Sequence, residues 1–246
     1  MLWRVEHFEE IDSTNAWVSA RAREGAEEGL VAVAEFQTEG RGRLDRHWEA
    51  TAGTALLCSL LLRPTLGVGD LQLCVAAVAL STRAALAALC GVAPGLKWPN
   101  DLVLGDAKVA GVLAEIVATT AQPAVVVGVG VNLTGRPALG SAISVFEASG
   151  VSLQSRGVLD RLLGELERRR PLLDEARTRQ EIADEYGANL VTLGQSVRVE
   201  RRDDVLHGVA QRVDRSGQLI VRVGDGEVTV AAGDVIHLRG DAGGVG

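Results

Sequence analysis

The chain has 246 residues, of which 47% are hydrophobic, so it can bury a substantial core as one large domain or as a large and a small one. Its formal net charge of −7 argues against a broad surface for nucleic acids or anionic membranes. Residues 1–6 carry charges where a signal peptide needs an apolar run, so export is not predicted.

Residues 71–95 form the most apolar stretch of the chain. A Ser-Thr-Arg triplet at 81–83 interrupts it, which favours a buried helix over a membrane span. The three cysteines, Cys58, Cys74 and Cys90, are odd in number and too far apart for a CxxC site. This number and spacing of cysteines is typical of buried thiols in a reducing compartment. We therefore predict a cytoplasmic protein without a membrane partner.

Hydrophobic periodicity predicts strands and helices in succession up to about residue 190. The predicted strands are, in chain order, 29–36, 54–62, 96–104, 108–117 and 124–132. The predicted helices are 16–23, 70–89, 159–179 with an interruption at Pro171, and a shorter one that ends at Gly187. Asp12 or Ser13 precedes the first helix as its N-cap. We expect residues 1–190 to form one domain.

The pattern changes after Leu193 and Gly194 to short alternating strands. The turn signals between these strands are Asp203-Asp204, Ser216-Gly217 and the segment 224–226. This pattern predicts a small β barrel in a second domain, residues 191–246. Its last residues, 241–246, are expected to be a frayed tail.

A loop rich in glycine and arginine, residues 37–51, follows the first predicted strand. Gly40 and Gly42 free the backbone to approach a ligand closely. Three cations stand beside them, Arg41, Arg43 and Arg46. The loop is therefore predicted to bind an anion. A solvated basic turn or a nucleic-acid contact is the alternative for such a composition.

Short polar side chains precede and begin this loop. They belong to Ser13, Thr14, Asn15 and Gln37. Their hydroxyl and amide groups can satisfy both the donors and the acceptors of a neutral ligand head such as a urea or an amide. Helix capping is the structural alternative for the segment 12–15, and both roles are compatible.

An aromatic residue and a glycine-rich strand end complete the candidate site. Trp48 is either a core anchor or a stacking face for a nucleotide base beside the cationic loop. The glycines of the segment 128–132, which ends at Asn132, leave room for something flat or permit close packing between strands. The segment alone does not decide between these readings.

Only two of the 25 basic side chains are lysines, Lys97 and Lys108, and each lies in a motif dense in polar residues and glycine. A compact ammonium group acts differently from a planar guanidinium, so a chain that otherwise uses arginine has a reason to keep lysine at a reactive site. Chance placement of two leftover lysines is the alternative.

Five motifs, taken in chain order, resemble the biotin–protein ligase family. They are DSTN at 12–15, Gln37 with GRGR at 40–43, KWPND at 97–101, KxAGxLxE at 108–115 and GxGxN at 128–132. Five ordered motifs at compatible spacings are far more specific than any single one. The chain departs from the family at Asp45, where glycine is usual, and at Leu44, where many members have a polar or basic residue.

The resemblance implies an α+β fold. Its catalytic domain would resemble class II aminoacyl-tRNA synthetases, with a mixed β-sheet and helices, and would be followed by an SH3-like barrel. The implied enzyme joins biotin to ATP, releases pyrophosphate, and transfers biotin from biotinyl-5′-adenylate to a lysine of a biotin carboxyl carrier domain of a carboxylase. The implied substrates and cofactor are biotin, ATP and Mg²⁺.

The resemblance also implies roles for individual residues. Arg43 and Lys108 are expected to be catalytic, because they can neutralise the charge that redistributes in the transition state. The expected biotin contacts are Ser13, Thr14, Asn15, Gln37, Gly40, Arg41, Gly42, Arg43, Lys108 and Gly111. The expected ATP contacts are Arg46, Trp48, Lys97, Asn100 and Asn132, and Asp101 is the candidate Mg²⁺ ligand.

Two related activities are alternatives. Lipoate and octanoate ligases or transferases share a similar fold, but a plain acyl chain has no use for the polar cluster at 13–15 and Gln37. Some family members carry an amino-terminal helix-turn-helix domain and repress transcription. Here the first motif begins at Asp12, so a ligase without DNA binding is expected, as a monomer or weak homodimer.

Overall fold

The computed structural model describes residues 2–44, 46–119, 124–135, 137, 141–201 and 204–238. Asp45, the position of one departure from the family pattern, lies outside the described residues, as does the tail 241–246. Within these ranges the chain forms two β-sheets, one of seven strands and one of five.

The seven-stranded sheet confirms the predicted mixed architecture. Its strands are β1 (Arg4–Ile11), β2 (Leu30–Gln37), β3 (Ala55–Leu62), β4 (Gly95–Lys97), β5 (Asp101–Leu104), β6 (Ala107–Val117) and β7 (Ala124–Asn132). Their order is β1-β2-β3-β7-β6-β5-β4. β1 runs parallel to β2, and every other pair is antiparallel. All residues of the central strand β3 are buried, as its continuous apolar run predicts.

Helices cover both faces of this sheet. They are α1 (Thr14–Arg23), α2 (Leu71–Cys90), α3 (Val145–Ser149), α4 (Ser155–Arg169) and α5 (Ala176–Ala188). Val18 and Ala22 of α1 pack in one apolar cluster with Leu61, whereas Leu60 and Leu62 belong to the other cluster, together with α2. The sheet is thus apolar on both faces because successive side chains of a strand alternate.

α2 is the one described helix that is long and apolar enough to cross a membrane by length and composition. It packs against α4, α5 and β6, which confirms the prediction of a buried helix. Cys58 and Cys74 are also buried, and burial raises the pKa of both thiols to about 12. Cys90 is only partly buried.

The five-stranded sheet follows the predicted change of pattern. Its strands are β8 (Ser196–Glu200), β9 (Val205–Val213), β10 (Leu219–Val223), β11 (Gly226–Val230) and β12 (Asp234–His237), in the order β11-β10-β9-β8-β12. All its pairs are antiparallel, and it fits the predicted SH3-like domain. Gly217 and Gly224 take the positive φ angles that the turn signals predict. The boundary between residues 190 and 191 stays a prediction.

Three features differ from the predicted elements. The predicted strand 96–104 is a pair of short strands, β4 and β5, because Pro99 has no N–H to donate to a ladder and the Trp98 N–H bonds to Thr192 Oγ1 at 3.0 Å instead. The predicted helix 159–179 consists of α4, the 3₁₀ turn Arg170–Leu173 and the start of α5. The strand β1 and the short helix α3 were not predicted.

Candidate active site

One cavity of about 700 Å³ collects nearly all the residues that the sequence singles out. The predicted residues on its wall are Ser13, Thr14, Asn15, Gln37, Arg41, Gly42, Arg43, Arg46, Trp48, Lys97, Asn100, Asp101, Lys108, Gly111 and Asn132. Gly40 is buried beside this wall, where a Cβ atom would lie 2.3 Å from the Trp48 carbonyl oxygen. The C-terminal sheet closes part of the cavity through β12.

The predicted polar cluster lies at the amino end of α1. Ser13 is the N-cap and accepts the Ala16 N–H at 3.4 Å, so the capping alternative is confirmed. Thr14 donates its backbone N–H (2.8 Å) and its hydroxyl (3.0 Å) to Gln37 Oε1. This brings the end of β2 against the positive end of the helix dipole, where partial negative charge on a ligand is stabilised.

Asn15 is supported by Glu115, the last residue of the motif at 108–115, to which the sequence analysis gave no role, and by Ser59, which it missed. Its Nδ2 donates to Glu115 Oε2 at 2.7 Å, and its Oδ1 accepts from the Ser59 hydroxyl at 2.5 Å. Ser59 Oγ also lies 2.7 Å from Thr14 Oγ1. Ser59 is the only hydroxyl residue in the apolar strand β3, a signal that was available in the sequence. Because both ends of the Asn15 amide are occupied, its contact with a ligand stays a prediction.

The glycines of β7 make room for side chains of the chain itself. A Cβ atom at Gly128 would lie 2.3 Å from Asn15 Oδ1, and one at Gly130 would lie 2.4 Å from Trp48 Cε2. The flat group beside Gly130 is therefore the Trp48 indole. Trp48 Nε1 is buried and has no hydrogen-bond partner among the described residues.

Lys108 occupies a narrow slot in the cavity wall. Its Nζ is 2.6 Å from Asp101 Oδ1 and 5.3 Å from the centroid of the Trp48 ring. A Cβ atom at Gly111 would approach Lys108 Cε and Nζ to 3.0 Å. The ammonium group is thus enclosed by a carboxylate, an indole face and a glycine, with only 29% of the side chain exposed.

The three loop arginines have different partners. Arg41 Nη1 is 3.8 Å from Glu115 Oε1. Arg43 donates through Nη1 to the Gly233 carbonyl oxygen at 3.2 Å, and Arg46 forms an ion pair with Asp234. Burial lowers the pKa of the Arg43 guanidinium, and the nearby carboxylate of Asp234 opposes that shift. The predicted anion-binding loop therefore lies against the C-terminal sheet.

The residues predicted on the nucleotide side also hold backbone in place. Asn100 Nδ2 donates to the Val112 carbonyl oxygen at 2.8 Å, and its Oδ1 accepts from Arg43 at 3.5 Å. Asn132 Nδ2 lies 3.4 Å from the carbonyl oxygens of Lys108 and Ile143. These bonds fix the walls on both sides of the Lys108 slot.

Lys97 adds a positive charge to the cavity wall near His237 of the C-terminal sheet. Burial lowers the pKa of His237 on β12, and the charge of Lys97 lowers it further. The neighbouring Trp98 is buried and donates its Nε1–H to the Gly217 carbonyl oxygen at 3.1 Å. The KWPND motif thus joins the two sheets as well as lining the cavity.

Asp101 alone offers little to a magnesium ion. Its carboxylate is ion-paired with Lys108, and within the described ranges no group of three or more His, Cys, Asp or Glu side chains is placed to hold a metal. Mg²⁺ is usually bound by one or two carboxylates together with substrate phosphates in octahedral geometry. Asp101 fits that role only alongside nucleotide phosphates, so its assignment stays a prediction.

Comparison with known proteins agrees with this architecture. The profile of the biotin/lipoate A/B protein ligase family matches residues 7–132, and that of the biotin protein ligase C-terminal domain matches residues 192–238. The biotin–[acetyl-CoA-carboxylase] ligase of Mycobacterium tuberculosis is 39% identical over 96% of this chain and 90% of its own length. The enzyme of the same name from Paracoccus denitrificans is 34% identical, over 91% and 96%.

A solved structure extends the likeness to three dimensions. The biotin protein ligase from Aquifex aeolicus, in complex with biotin and ATP, superposes with a TM-score of 0.82 at 26% identity, covering 97% of this chain and 100% of that one. The likeness thus spans both sheets and the cavity between them. The chain belongs to the biotin/lipoate A/B protein ligase family, and its C-terminal match places it among the biotin protein ligases of that family.

Proposed function

We propose that this chain is an ATP-dependent biotin–protein ligase that forms biotinyl-5′-adenylate and then transfers biotin to a lysine of a biotin carboxyl carrier domain. The observation that carries the proposal is one cavity whose wall contains both a neutral polar cluster and the cations Arg43 and Lys108. Such a cavity suits a ligand with a ureido head and a carboxylate tail, held next to a nucleotide.

In the first step a carboxylate oxygen of biotin attacks the α-phosphorus of ATP. An oxygen–phosphorus bond forms, the bond to the bridging oxygen of the β-phosphate breaks, and pyrophosphate leaves. Two anions must approach each other, so the barrier falls if fixed cations stand where the charge redistributes. Lys108 and Arg43 supply those cations, and the half-buried surroundings strengthen their effect.

In the second step the neutral ε-amine of the acceptor lysine attacks the acyl carbon. An amide bond forms, AMP leaves with the electron pair of the broken carbon–oxygen bond, and the amine releases a proton to solvent. No protein nucleophile is needed. The acceptor is a carrier domain of a biotin-dependent carboxylase, and we place the reaction in the cytoplasm, with the ligase as a monomer or weak homodimer.

The proposed contacts are divided between the two substrates. Biotin is held by Ser13, Thr14, Asn15, Gln37, Gly40, Arg41, Gly42, Arg43, Lys108 and Gly111. ATP is held by Arg46, Trp48, Lys97, Asn100 and Asn132. Mg²⁺ would accompany the nucleotide and screen its phosphates, with Asp101 as the nearest candidate ligand.

The proposal predicts that biotin supports ATP–pyrophosphate exchange and that lipoate and octanoate do not. The reason is the polar cluster at the amino end of α1, whose hydroxyl and amide groups can hydrogen-bond a ureido head but not a plain acyl chain. Exchange of labelled pyrophosphate into ATP, with mass spectrometry of the adenylate, measures this directly. Equal ATP–pyrophosphate exchange with lipoate would contradict the proposal and indicate a lipoate ligase.

Ser59→Ala tests the support of the polar cluster. The change leaves Asn15 Oδ1 without its hydroxyl donor and is expected to raise the KM for biotin about tenfold, with a smaller effect on the KM for ATP. The matched control is Ser81→Ala, because Ser81 is an equally buried serine whose hydroxyl donates to the Ala77 carbonyl oxygen within α2. An equal change of KM in both variants would contradict the role of Ser59.

A further inference from the structure

The glycine-arginine loop is tied to the C-terminal sheet by one carboxylate, that of Asp234 at the start of β12. Asp234 Oδ1 lies 3.6 Å from Arg43 Nη1, and Asp234 Oδ2 pairs with Arg46. Each carboxylate oxygen thus faces a different arginine of the loop. The paired residues lie 188 or more positions apart in sequence, so no local sequence pattern predicts these contacts.

This arrangement differs from an ordinary surface ion pair. The side chains of Asp234 and Arg43 are only 14% and 21% exposed, whereas solvent-exposed pairs contribute little to stability. Asp234 is held in the β8–β12 ladder opposite Glu200. The carbonyl oxygen of the preceding residue, Gly233, accepts a further bond from Arg43. Asp234 is therefore placed by the pairing of its strand, whereas the side chain of Arg46, its partner in the loop, is 68% exposed.

From these contacts we propose that Asp234 is a positioning residue that holds Arg43 and Arg46 over the cavity, so that the C-terminal sheet keeps the loop closed on the adenylate. The proposal rests on the proposed function for its second half, the retention of the adenylate. Its first half, the anchoring of the loop, concerns the free protein and is independent of any activity.

The charge pattern supports a positioning role. Arg41, Arg43 and Arg46 repel one another. Backbone bonds within the loop, from the Gly42 N–H to the Arg46 carbonyl oxygen at 2.7 Å and from the Trp48 N–H to the Gly40 carbonyl oxygen at 3.0 Å, shape its turn but do not tie it to the C-terminal sheet. A single carboxylate between two of the arginines offsets that repulsion. Without it, the partners of Arg43 among the described residues would be the Gly233 carbonyl oxygen and Asn100.

The test is Asp234→Asn, which removes the charge and keeps the shape. Hydrogen–deuterium exchange of the peptide 38–48 in the free protein is expected to become faster, and the adenylate is expected to dissociate about tenfold faster. We also expect a higher KM for ATP and a lower kcat, because Arg46 and Arg43 both lose their carboxylate partner and Arg43 is one of the two cations proposed for the first step. Asp234→Glu should restore part of the protection.

The matched control is Glu227→Gln in β11. It removes one negative charge from the same sheet, but the Glu227 carboxylate pairs with Arg212 of β9 instead of the loop. Its loop exchange and adenylate retention should equal those of the wild type. If Asp234→Asn also matches the wild type in loop exchange and in adenylate retention, the proposal that Asp234 anchors the loop is wrong. If the wild type makes no adenylate, the proposed function fails, and the exchange of the peptide 38–48 still decides whether Asp234 holds the loop.

A double variant tests whether Asp234 and Arg46 act as a pair. If Asp234 acts through Arg46, then Arg46→Gln and Asp234→Asn together should speed loop exchange no more than Asp234→Asn alone, because both remove the same pair. Additive effects would show that the two residues act separately and would overturn the proposal. Unchanged circular dichroism of each variant excludes unfolding as the cause.

Discussion

Replacing Lys108 with arginine is expected to lower the rate of adenylate formation about a hundredfold, with almost no change in thermal unfolding. Lys108 lies in a slot between the Asp101 carboxylate, the Trp48 ring and Gly111. A guanidinium is longer and planar, so it would displace the cationic group or its neighbours by about an ångström, and such a shift costs roughly a hundredfold in rate. Stability should hold because arginine preserves the ion pair with Asp101.

Pyrophosphate exchange and calorimetry on the same preparations measure both effects. Lys97→Arg is the comparison, since Lys97 lines the cavity from β4 without being enclosed in that slot. We expect a milder loss of activity there. Near-normal exchange in Lys108→Arg would mean that the chain needs only positive charge at this position, and Lys108 would be reassigned to structure.

Gly128→Ala is expected to have the second large effect. The new Cβ atom would lie 2.3 Å from Asn15 Oδ1, a distance that no pair of these atoms tolerates. The Asn15 side chain cannot move away without losing hydrogen bonds, because Ser59 and Glu115 bond both ends of its amide. Either the asparagine turns away or β7 shifts against β3, and both movements disturb the biotin end of the cavity. We expect biotin-dependent exchange to fall about a hundredfold and stability to fall by about 1–3 kcal/mol.

The control is Gly164→Ala in α4, where a Cβ atom would meet nothing within 4 Å. Alanine favours a helix over glycine by about 1 kcal/mol, so this variant should be slightly more stable and equally active. Denaturant unfolding and steady-state kinetics with varied biotin distinguish the two. If Gly128→Ala keeps the wild-type KM for biotin, the close packing of Asn15 on β7 does not matter to the ligand.

The sequence alone was enough to predict which segments meet in the site. The polar cluster, the arginine loop and the two lysine motifs all come to one cavity. The arginine loop and the lysine motifs lie at or beside strands whose apolar pattern is readable by period, and the segment 12–15 lies at the start of the predicted helix α1. The same reasoning predicted the central strand β3 and the buried helix α2. It missed β1, since its exposed glutamates at an edge position weaken the alternation that marks a strand.

The sequence was less informative about why individual residues occupy their positions in the site. The glycines at 128 and 130 were open to two interpretations, and the structure shows that they accommodate Asn15 and Trp48. A glycine in a strand indicates that something approaches closely, but not what approaches, because that depends on which loop folds over the strand. Ser59 could have been recognised as a lone hydroxyl in an apolar strand, yet its partners lie more than 40 positions away in sequence.

The sequence by itself thus determined the family, most of the strands and helices, and the motifs that line one cavity. Tertiary structure alone decided how those side chains are held. Asp234 meets Arg46 across 188 positions, and Trp98 meets Gly217 across 119, only because the five-stranded sheet docks beside the seven-stranded one. Periodicity reports which face of an element is buried, whereas the contact between two separately folded sheets depends on shape and charge that no local window contains.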